Sequence, residues 1–293
     1  MLVIGSRGSQ LALWQAGWIQ GRLAELGRES RIEIIRTTGD QATSVPLAAA
    51  GTKGLFTKEI EEALLAGAID LAVHSLKDLP TELPAGLELA AVPERADPRD
   101  AMVGRRLSDL PPGGRVGSSS PRRAAQLRHL RPDLVVEPVR GNVDTRLRKL
   151  DEGQYQAILL AVAGLTRLGW SDRIAEALAP EVMCPAVGQG ALGIETRTGG
   201  AARDVCALLD HRETRAAVTA ERAVLRALGG GCQVPIGAHA RADQGRLYLM
   251  AVVVSTDGRQ HFRDSGEEGL GAPDRLGREV GARLLARGAG EIL

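Results

Sequence analysis

The sequence predicts an α/β protein of more than one domain, and three observations carry that prediction. The chain has 293 residues, more than a single core of about 100–150 residues usually needs. Short apolar runs alternate with helical patterns over its first two thirds, the βαβ arrangement of a mostly parallel sheet covered by helices. The alternation stops at Pro93-Glu94-Arg95-Ala96-Asp97-Pro98-Arg99-Asp100 and then resumes, which marks a hinge and a domain boundary.

Taken in order, Leu2 to Ile4 reads as the first strand. Ser9 is placed to cap a helix in which Leu11, Trp14, Trp18, Ile19, Leu23 and Leu26 recur at helical spacing until Gly27 stops it. Ile32, Ile34 and Ile35 suggest the next strand. The stretch from Thr37 to Phe56 is rich in Thr, Ala and Gly, has no periodicity, and is long enough for a mobile lid. A helix from Thr57 to Ala66 ends at Gly67, and Leu71-Ala72-Val73 is a short buried strand running into His74-Ser75-Leu76-Lys77-Asp78-Leu79-Pro80. Polar residues at the carboxyl end of such a strand face the ligand in open α/β sheets. Beyond the hinge, strands fit Val116-Gly117, Leu134 to Val139 and Ala157 to Val162, with helices at Pro121 to Leu130 and Val143 to Glu152 between them. A smaller last domain has a helix ending at Leu228, a strand at Leu247 to Val254 and a helix at Arg275 to Ala286.

Composition excludes several classes. Hydrophobic residues make up 44% and charged residues 25%, ordinary for a soluble globular protein, and no run approaches the roughly 20 apolar residues of a membrane span. The N-terminus lacks the basic-then-apolar pattern of a signal peptide, so the cytoplasm is the expected compartment. The net charge of +1 predicts no general affinity for polyanions, and 2% aromatic residues serve base stacking poorly, so no nucleic-acid partner is expected. The five histidines show no metal-ligand spacing.

Local clusters of cations remain. In Gly117-Ser118-Ser119-Ser120-Pro121-Arg122-Arg123 a serine N-cap, a proline at the first helical position and two arginines surround one point with hydroxyls, N–H groups and guanidinium groups. Cations at a helix N-terminus oppose its dipole by about 0.3–1 kcal/mol each, so an anionic ligand is expected there. Arg140-Gly141-Asn142-Val143-Asp144-Thr145-Arg146 forms a second basic turn, Arg7 and Ser9 a third, and Arg167 follows the Ala157 strand. Four such turns imply a multiply anionic ligand. Asp78, beside Lys77 in these basic surroundings, either stabilises a transient cation and moves a proton or is bound in a salt bridge.

Three cysteines, Cys184, Cys206 and Cys232, match neither a metal pair nor a disulfide framework. Cys232 lies in Gly229-Gly230-Gly231-Cys232-Gln233-Val234-Pro235-Ile236-Gly237, where the glycines admit close approach. It is either a covalent attachment point or a small buried hydrophobe beside a flexible turn. Gly188-Gln189-Gly190-Ala191-Leu192-Gly193 satisfies the dinucleotide pattern literally, but Pro180 and Pro185 interrupt the strand it needs, and Asp210 follows a helical run. Gly51-Thr52-Lys53-Gly54 lacks the spacing of a phosphate-binding loop.

Together, Lys53-Gly54-Leu55-Phe56, the His74–Pro80 segment, Arg140-Gly141-Asn142-Val143, Pro185-Ala186-Val187-Gly188-Gln189-Gly190-Ala191 and Gly230-Gly231-Cys232-Gln233-Val234-Pro235 resemble the porphobilinogen deaminase family over nearly the whole chain. The resemblance implies two periplasmic-binding-protein-like α/β domains around a cleft and a smaller C-terminal α/β domain, with residues 1–95 and 190–209, 98–188, and 212–293 as the three domains. It implies a transferase, hydroxymethylbilane synthase, that joins four porphobilinogen molecules head to tail with loss of ammonia, acting as a cytoplasmic monomer without a metal. The primer is a dipyrromethane cofactor covalently attached through Cys232, and Asp78 matches the catalytic carboxylate. Loss of ammonia leaves an electrophilic pyrrole and positive charge on ring nitrogens, which a shielded carboxylate stabilises. The resemblance places Lys77, Ser118, Ser119, Ser120, Arg122, Arg123, Arg146 and Gln189 around the cofactor, and Arg7, Ser9, Lys53, Phe56, Arg140, Arg146 and Arg167 around the substrate, whose acetate and propionate groups supply the expected anion. Pro121 and Ala49 depart from the residues common at those positions. The alternative is a non-catalytic two-lobed protein that binds a small carboxylated ligand, and it needs no covalent primer on Cys232.

Overall fold

The computed structural model describes residues 1–38, 57–230 and 234–293. Lys53, Phe56 and Cys232, with most of the stretch expected to form a lid, lie outside the described residues. In chain order the elements are β1 (Leu2–Ser6), α1 (Gln10–Glu25), β2 (Ser30–Ile34), α2 (Lys58–Leu65), β3 (Leu71–Ser75) and β4 (Leu87–Ala91), followed by β5 (Asp100–Val103), β6 (Arg115–Gly117), α3 (Pro121–Leu130), β7 (Val135–Glu137), α4 (Val143–Asp151), β8 (Ala157–Ala161), α5 (Val162–Arg167) and β9 (Ile174–Leu178). After these come β10 (Leu192–Arg197), α6 (Ala201–Ala207), α7 (Arg212–Ala227), β11 (Ile236–Asp243), β12 (Arg246–Val254), β13 (His261–Gly269) and α8 (Pro273–Ala286). Two compact units result, Met1–Arg95 with Ala191–Arg215 and Ala96–Gly190 with Ala216–Leu293.

The first unit is a lobe built on a five-stranded sheet in the order β2-β1-β3-β10-β4. β1 runs parallel to β2 and β3, whereas β10 is antiparallel to both β3 and β4. In the second unit β7-β6-β8-β5-β9 repeats the scheme, with β6 parallel to β7 and β8 and β5 antiparallel to β8 and β9. The sheets are therefore mixed, not mostly parallel as the alternation suggests. One strand in each, β5 or β10, enters just after the chain has changed units and runs against its neighbours. Neither strand shows in the βα alternation, because one begins inside the proline-flanked hinge and the other follows a run of glycines.

The helices form where the pattern places them. Ser9 caps α1, its Oγ accepting from the Ala12 N–H at 3.3 Å, and Gly27 ends the turn at a φ of 69° that favours glycine. Ala16, Ile19 and Leu23 pack onto the sheet with Ile4, Leu71, Val73 and Ile194. Trp14 and Trp18, grouped by periodicity with that stripe, lie on the outer face, where the Arg22 guanidinium sits over the Trp18 ring. The other face of the sheet packs Ala72 against Ile60 and Leu64 of α2.

The three antiparallel strands β11-β12-β13 form the smaller C-terminal domain, its apolar face covered by α7 and α8. These two helices meet so closely that a Cβ on Gly277 would lie 2.2 Å from the Ala220 carbonyl oxygen. Only glycine fits there. Two α/β lobes and a smaller α/β domain are the architecture that the family resemblance implies.

Candidate functional site

In the first lobe, β1 and β3 are parallel neighbours, so the residues that follow them emerge at the same edge of the sheet. Arg7 and Ser9 come from the first turn, Ser75 and Asp78 from the second, and all four line one pocket with Gln15, Thr57 and His74. The second turn is held from both sides. Leu76 and Leu79 are buried, the Leu76 N–H donates to the Ala191 carbonyl at 3.0 Å, and a short 3₁₀ turn spans Leu76–Asp78. This leaves Lys77 half-buried and Asp78 exposed. Gln15 of α1 is buried and donates through Nε2 to Ser75 Oγ at 2.8 Å, fixing the end of β3.

In the second unit the parallel strands β7, β6 and β8 deliver Arg140 to Arg146, Ser118 to Arg123, and Arg167, respectively, to one sheet edge. Ser120 caps α3, accepting from the Arg123 N–H at 3.4 Å, with Pro121 in the first turn. Ser119 Oγ donates to the Val139 carbonyl at 2.7 Å, and Ser118 Oγ accepts from the Ser120 N–H at 3.3 Å. Arg146 Nε donates to the Gly141 carbonyl at 2.8 Å, and Lys149 reaches the Arg140 carbonyl.

Arg122 and Arg123 point inward. Both are buried, and Asp100, 0% exposed, accepts from Arg122 Nη1 at 2.7 Å, Arg122 Nη2 at 3.2 Å and Arg123 Nε at 2.8 Å. Gln189 Nε2 donates to the same carboxylate at 2.9 Å and to the Pro98 carbonyl at 2.7 Å, while Arg122 Nη1 also donates to the Cys184 carbonyl. Burial would raise the Asp100 carboxyl's pKa, but the charges of Arg122 and Arg123 outweigh it and hold the group well below the usual carboxylate range. Two guanidinium groups thus share one carboxylate, and a net positive charge stays beneath the N-terminus of α3. Burial also pulls Arg167 down to about 10, and its Nη2 donates to the Gly190 carbonyl at 2.7 Å.

The chain from Gly237 onward is anchored as well. The Ala238 N–H donates to the Pro185 carbonyl, and a Cβ on Gly237 would lie 2.8 Å from the Cys184 carbonyl oxygen. Fully buried Glu221 accepts from the Gly188 N–H at 2.7 Å and the Ala240 N–H at 2.8 Å, tying the glycine loop to β11. After Gly190, at a φ of 86°, a strand follows where the dinucleotide fingerprint requires a helix. Asp210, the acidic partner that fingerprint would need, accepts from the Val92 N–H and pairs with Arg215. Sequence reasoning missed Asp100 and Glu221. Asp100 lies 22 positions before Arg122, at the end of the proline-flanked hinge, and an isolated glutamate on a helix carries no spacing signal.

The donor set suits a group bearing several carboxylates. The α3 N-terminus carries a net buried positive charge, Arg122 Nε is buried with no hydrogen-bond partner among the described residues, and Arg167 is a desolvated cation at the neighbouring strand end. A dipyrromethane bearing acetate and propionate groups fits this chemistry. The family model described as "Porphobilinogen deaminase, dipyromethane cofactor binding domain" matches residues 2–204, and "Porphobilinogen deaminase, C-terminal domain" matches residues 215–286. The chain belongs to the porphobilinogen deaminase family. Porphobilinogen deaminase of Thiobacillus denitrificans is 54% identical over 298 residues, which cover 100% of this chain and 97% of the relative. That of Syntrophobacter fumaroxidans is 52% identical over 296 residues, covering 99% and 96%. Among solved structures, an ABC-transporter periplasmic substrate-binding protein from Coxiella burnetii aligns at a TM-score of 0.46 and 12% identity, over 71% of this chain and 91% of that one. Membership of the porphobilinogen deaminase family makes this chain an enzyme rather than a two-lobed binding protein.

Proposed function

We propose that this member of the family builds its product on a dipyrromethane held by Cys232 through a thioether, with Asp78 as the catalytic carboxylate. The reaction of the family deaminates and condenses four porphobilinogen molecules head to tail into hydroxymethylbilane, a step of tetrapyrrole biosynthesis. When bound, the dipyrromethane supplies the primer that the substrate rings extend.

The observation that carries the reading is the clamped turn after β3. With Leu76 and Leu79 buried, Asp78 projects into a pocket shared with Arg7 and Ser9. Its Oδ atoms meet positive charge developing on a substrate nitrogen and hold a proton between the ring carbon that loses it and the departing amine. Arg7, Ser9, Lys53, Arg140, Arg146 and Arg167 take the substrate carboxylates, and Phe56 gives the substrate an apolar contact. Lys77, Ser118, Ser119, Ser120 and Arg146 take the carboxylates of the cofactor, whereas Gln189, expected from the resemblance beside the cofactor, is buried and donates its amide N–H groups to Asp100 and the Pro98 carbonyl. Arg122 and Arg123, bonded inward to Asp100, contribute charge and fix the first turn of α3. Residues 98–188 and 212–293 act as separate domains, and the enzyme works as a cytoplasmic monomer; among the described residues no helix is long and apolar enough to cross a membrane.

Intact-mass measurement of the purified protein tests the anchor. An adduct of dipyrromethane size that disappears in Cys232→Ser is expected, and an unmodified mass in active protein refutes it. Asp78→Ala is expected to keep fold and adduct while losing most turnover, and near-normal turnover rejects the catalytic role.

A further inference from the structure

Behind the Asp78 pocket lies a buried cluster that the reading above leaves without a role. His74, on β3, places its Nε2 2.9 Å from Oε2 of Glu195 on β10. The two are diagonal neighbours of an antiparallel pair in which Gly193 stands opposite His74 and Glu195 opposite Ala72. Glu61 of α2 approaches from the helix packed on this part of the sheet. His74 is 6% exposed, Glu61 8% and Glu195 0%. One oxygen on each carboxylate, and the Thr57 hydroxyl, are buried with no hydrogen-bond partner among the described residues.

Among the described residues, half-buried Lys77 follows in the turn after β3, and the other surrounding charges are engaged elsewhere. Arg197, two residues along β10 from Glu195, donates to the Leu64 and Ile69 carbonyls and pairs with Asp70. Glu88 of β4 pairs with Arg203, and Lys58 of α2 pairs with Glu62 on the exposed side. Glu59 accepts from Thr38. α1 offers the uncharged Gln15, and Arg7 and Asp78 belong to the pocket. Among the described residues, the charges that act on Glu61 are those of Glu195 and His74. His74 lies within ion-pair distance of one of the two buried carboxylates. A second ionised carboxylate there, with no cation paired to it among the described residues, costs several kcal/mol.

We propose that Glu61, His74 and Glu195 hold a buried proton inventory of net zero charge behind Asp78, with Glu195 ionised, His74 doubly protonated and Glu61 a neutral acid. The direction for Glu61 agrees: burial raises its pKa, the Thr57 hydroxyl offsets part of that, the charge of Glu195 raises it further, and the opposing charge of His74 leaves the net direction upward. His74 lines the same pocket as Asp78, so an ionised Glu61 would put a second negative charge behind the carboxylate that must stay ionised to do its work. In this role His74 and Glu195 are positioning residues that set the pocket's field.

The inference rests on Asp78 being the catalytic carboxylate, and two spectroscopic readouts bear on the cluster alone. In holoenzyme labelled with ¹⁵N-histidine, the His74 ring is expected to carry protons on both nitrogens at neutral pH, and a single protonated nitrogen overturns the assignment. A protonated-carboxyl infrared band is expected to vanish in Glu61→Gln and persist in Glu195→Gln; the reverse also overturns it. Glu61→Gln, which copies a neutral acid, is expected to keep wild-type kcat. His74→Asn leaves Glu195 unbalanced and is expected to lower kcat about tenfold, the equivalent of one pKa unit of electrostatic interaction, with the adduct and KM retained and the acid limb of the pH profile moved to higher pH. An unchanged profile in His74→Asn overturns the role behind Asp78. Normal turnover in Asp78→Asn would instead remove the reading on which it rests.

Discussion

Asp100→Asn isolates the charge that holds the cofactor-side turn together. In the native protein two buried guanidinium groups and one buried carboxylate leave a single net positive charge, with four hydrogen bonds of 2.7–3.2 Å from Arg122, Arg123 and Gln189 converging on Asp100. The variant keeps the shape but removes the charge, and it turns an NH₂ donor toward guanidinium donors. Removing one partner of a buried ion pair costs about 3–5 kcal/mol, a large part of the roughly 5–15 kcal/mol of a typical domain. At about 2–4 °C per kcal/mol for a unit of 150–250 residues, the melting temperature of the second unit should fall by roughly 6–20 °C. The pH dependence has a definite sign. Because the folded-state pKa of Asp100 is depressed, its stabilisation is fully present above the ordinary value of 3.8 and is lost as pH falls through the folded value. Urea denaturation of both proteins should therefore show a constant gap from neutral pH to about pH 5, narrowing in stronger acid. A neutral-pH gap below about 1 kcal/mol, the range of a surface pair, or a gap that does not narrow in acid, would refute the account.

The other predictions are simpler. Gly190→Ala forces an L side chain to a φ of 86° with its Cβ 2.5 Å from the Ala96 carbonyl oxygen; a loss of at least about 1–3 kcal/mol is expected, and wild-type stability contradicts it. Burial pushes Cys184 and Cys206 to about 12, so neither should react with iodoacetamide in native enzyme near neutral pH. After denaturation two thiols should label, and three would contradict a thioether on Cys232. His129 and His261 stack with ring centroids 4.4 Å apart, and burial, then the charges of His129 and Arg263, lower the pKa of His261. Protonation therefore favours the unfolded chain, and stability should decline as pH falls below about 6.5 toward the folded-state value. His129→Gln should flatten that slope, and an unchanged slope excludes the stack as its cause.

Much of the arrangement was legible because it rests on local rules. Ser9 and Ser120 announce helix starts, Pro121 fits a first turn, and Leu71-Ala72-Val73 is too apolar and too short for anything but a buried strand. The polar residues after those strands follow from the geometry of parallel neighbours. The mixed character of the sheets was not legible, since β5 and β10 take their direction from partners far along the chain. β13 was missed too: His261–Gly269 is a polar edge strand whose sequence HFRDSGEEG hides its period of two. At the site, spacing identified Arg122 and Arg123 but not where they point. Their orientation depends on Asp100, which lies next to them only in the folded lobe. The His74–Glu195 pair, 121 positions apart, is likewise invisible until β3 and β10 align.

β10 sits between β3 and β4 in the first sheet, although about a hundred residues of chain separate it from them. During synthesis β4 therefore emerges with no neighbour to pair with, while residues 96–190 already contain every strand of the second sheet. At about 5–20 residues per second the wait for β10 lasts roughly 5–20 s. The later-encoded lobe can close its sheet first, and the turn carrying Asp78, whose Leu76 N–H donates to Ala191, takes its final form only when the chain comes back. The reactive carboxylate is thus assembled late, after the cationic turns of the second unit have had time to order.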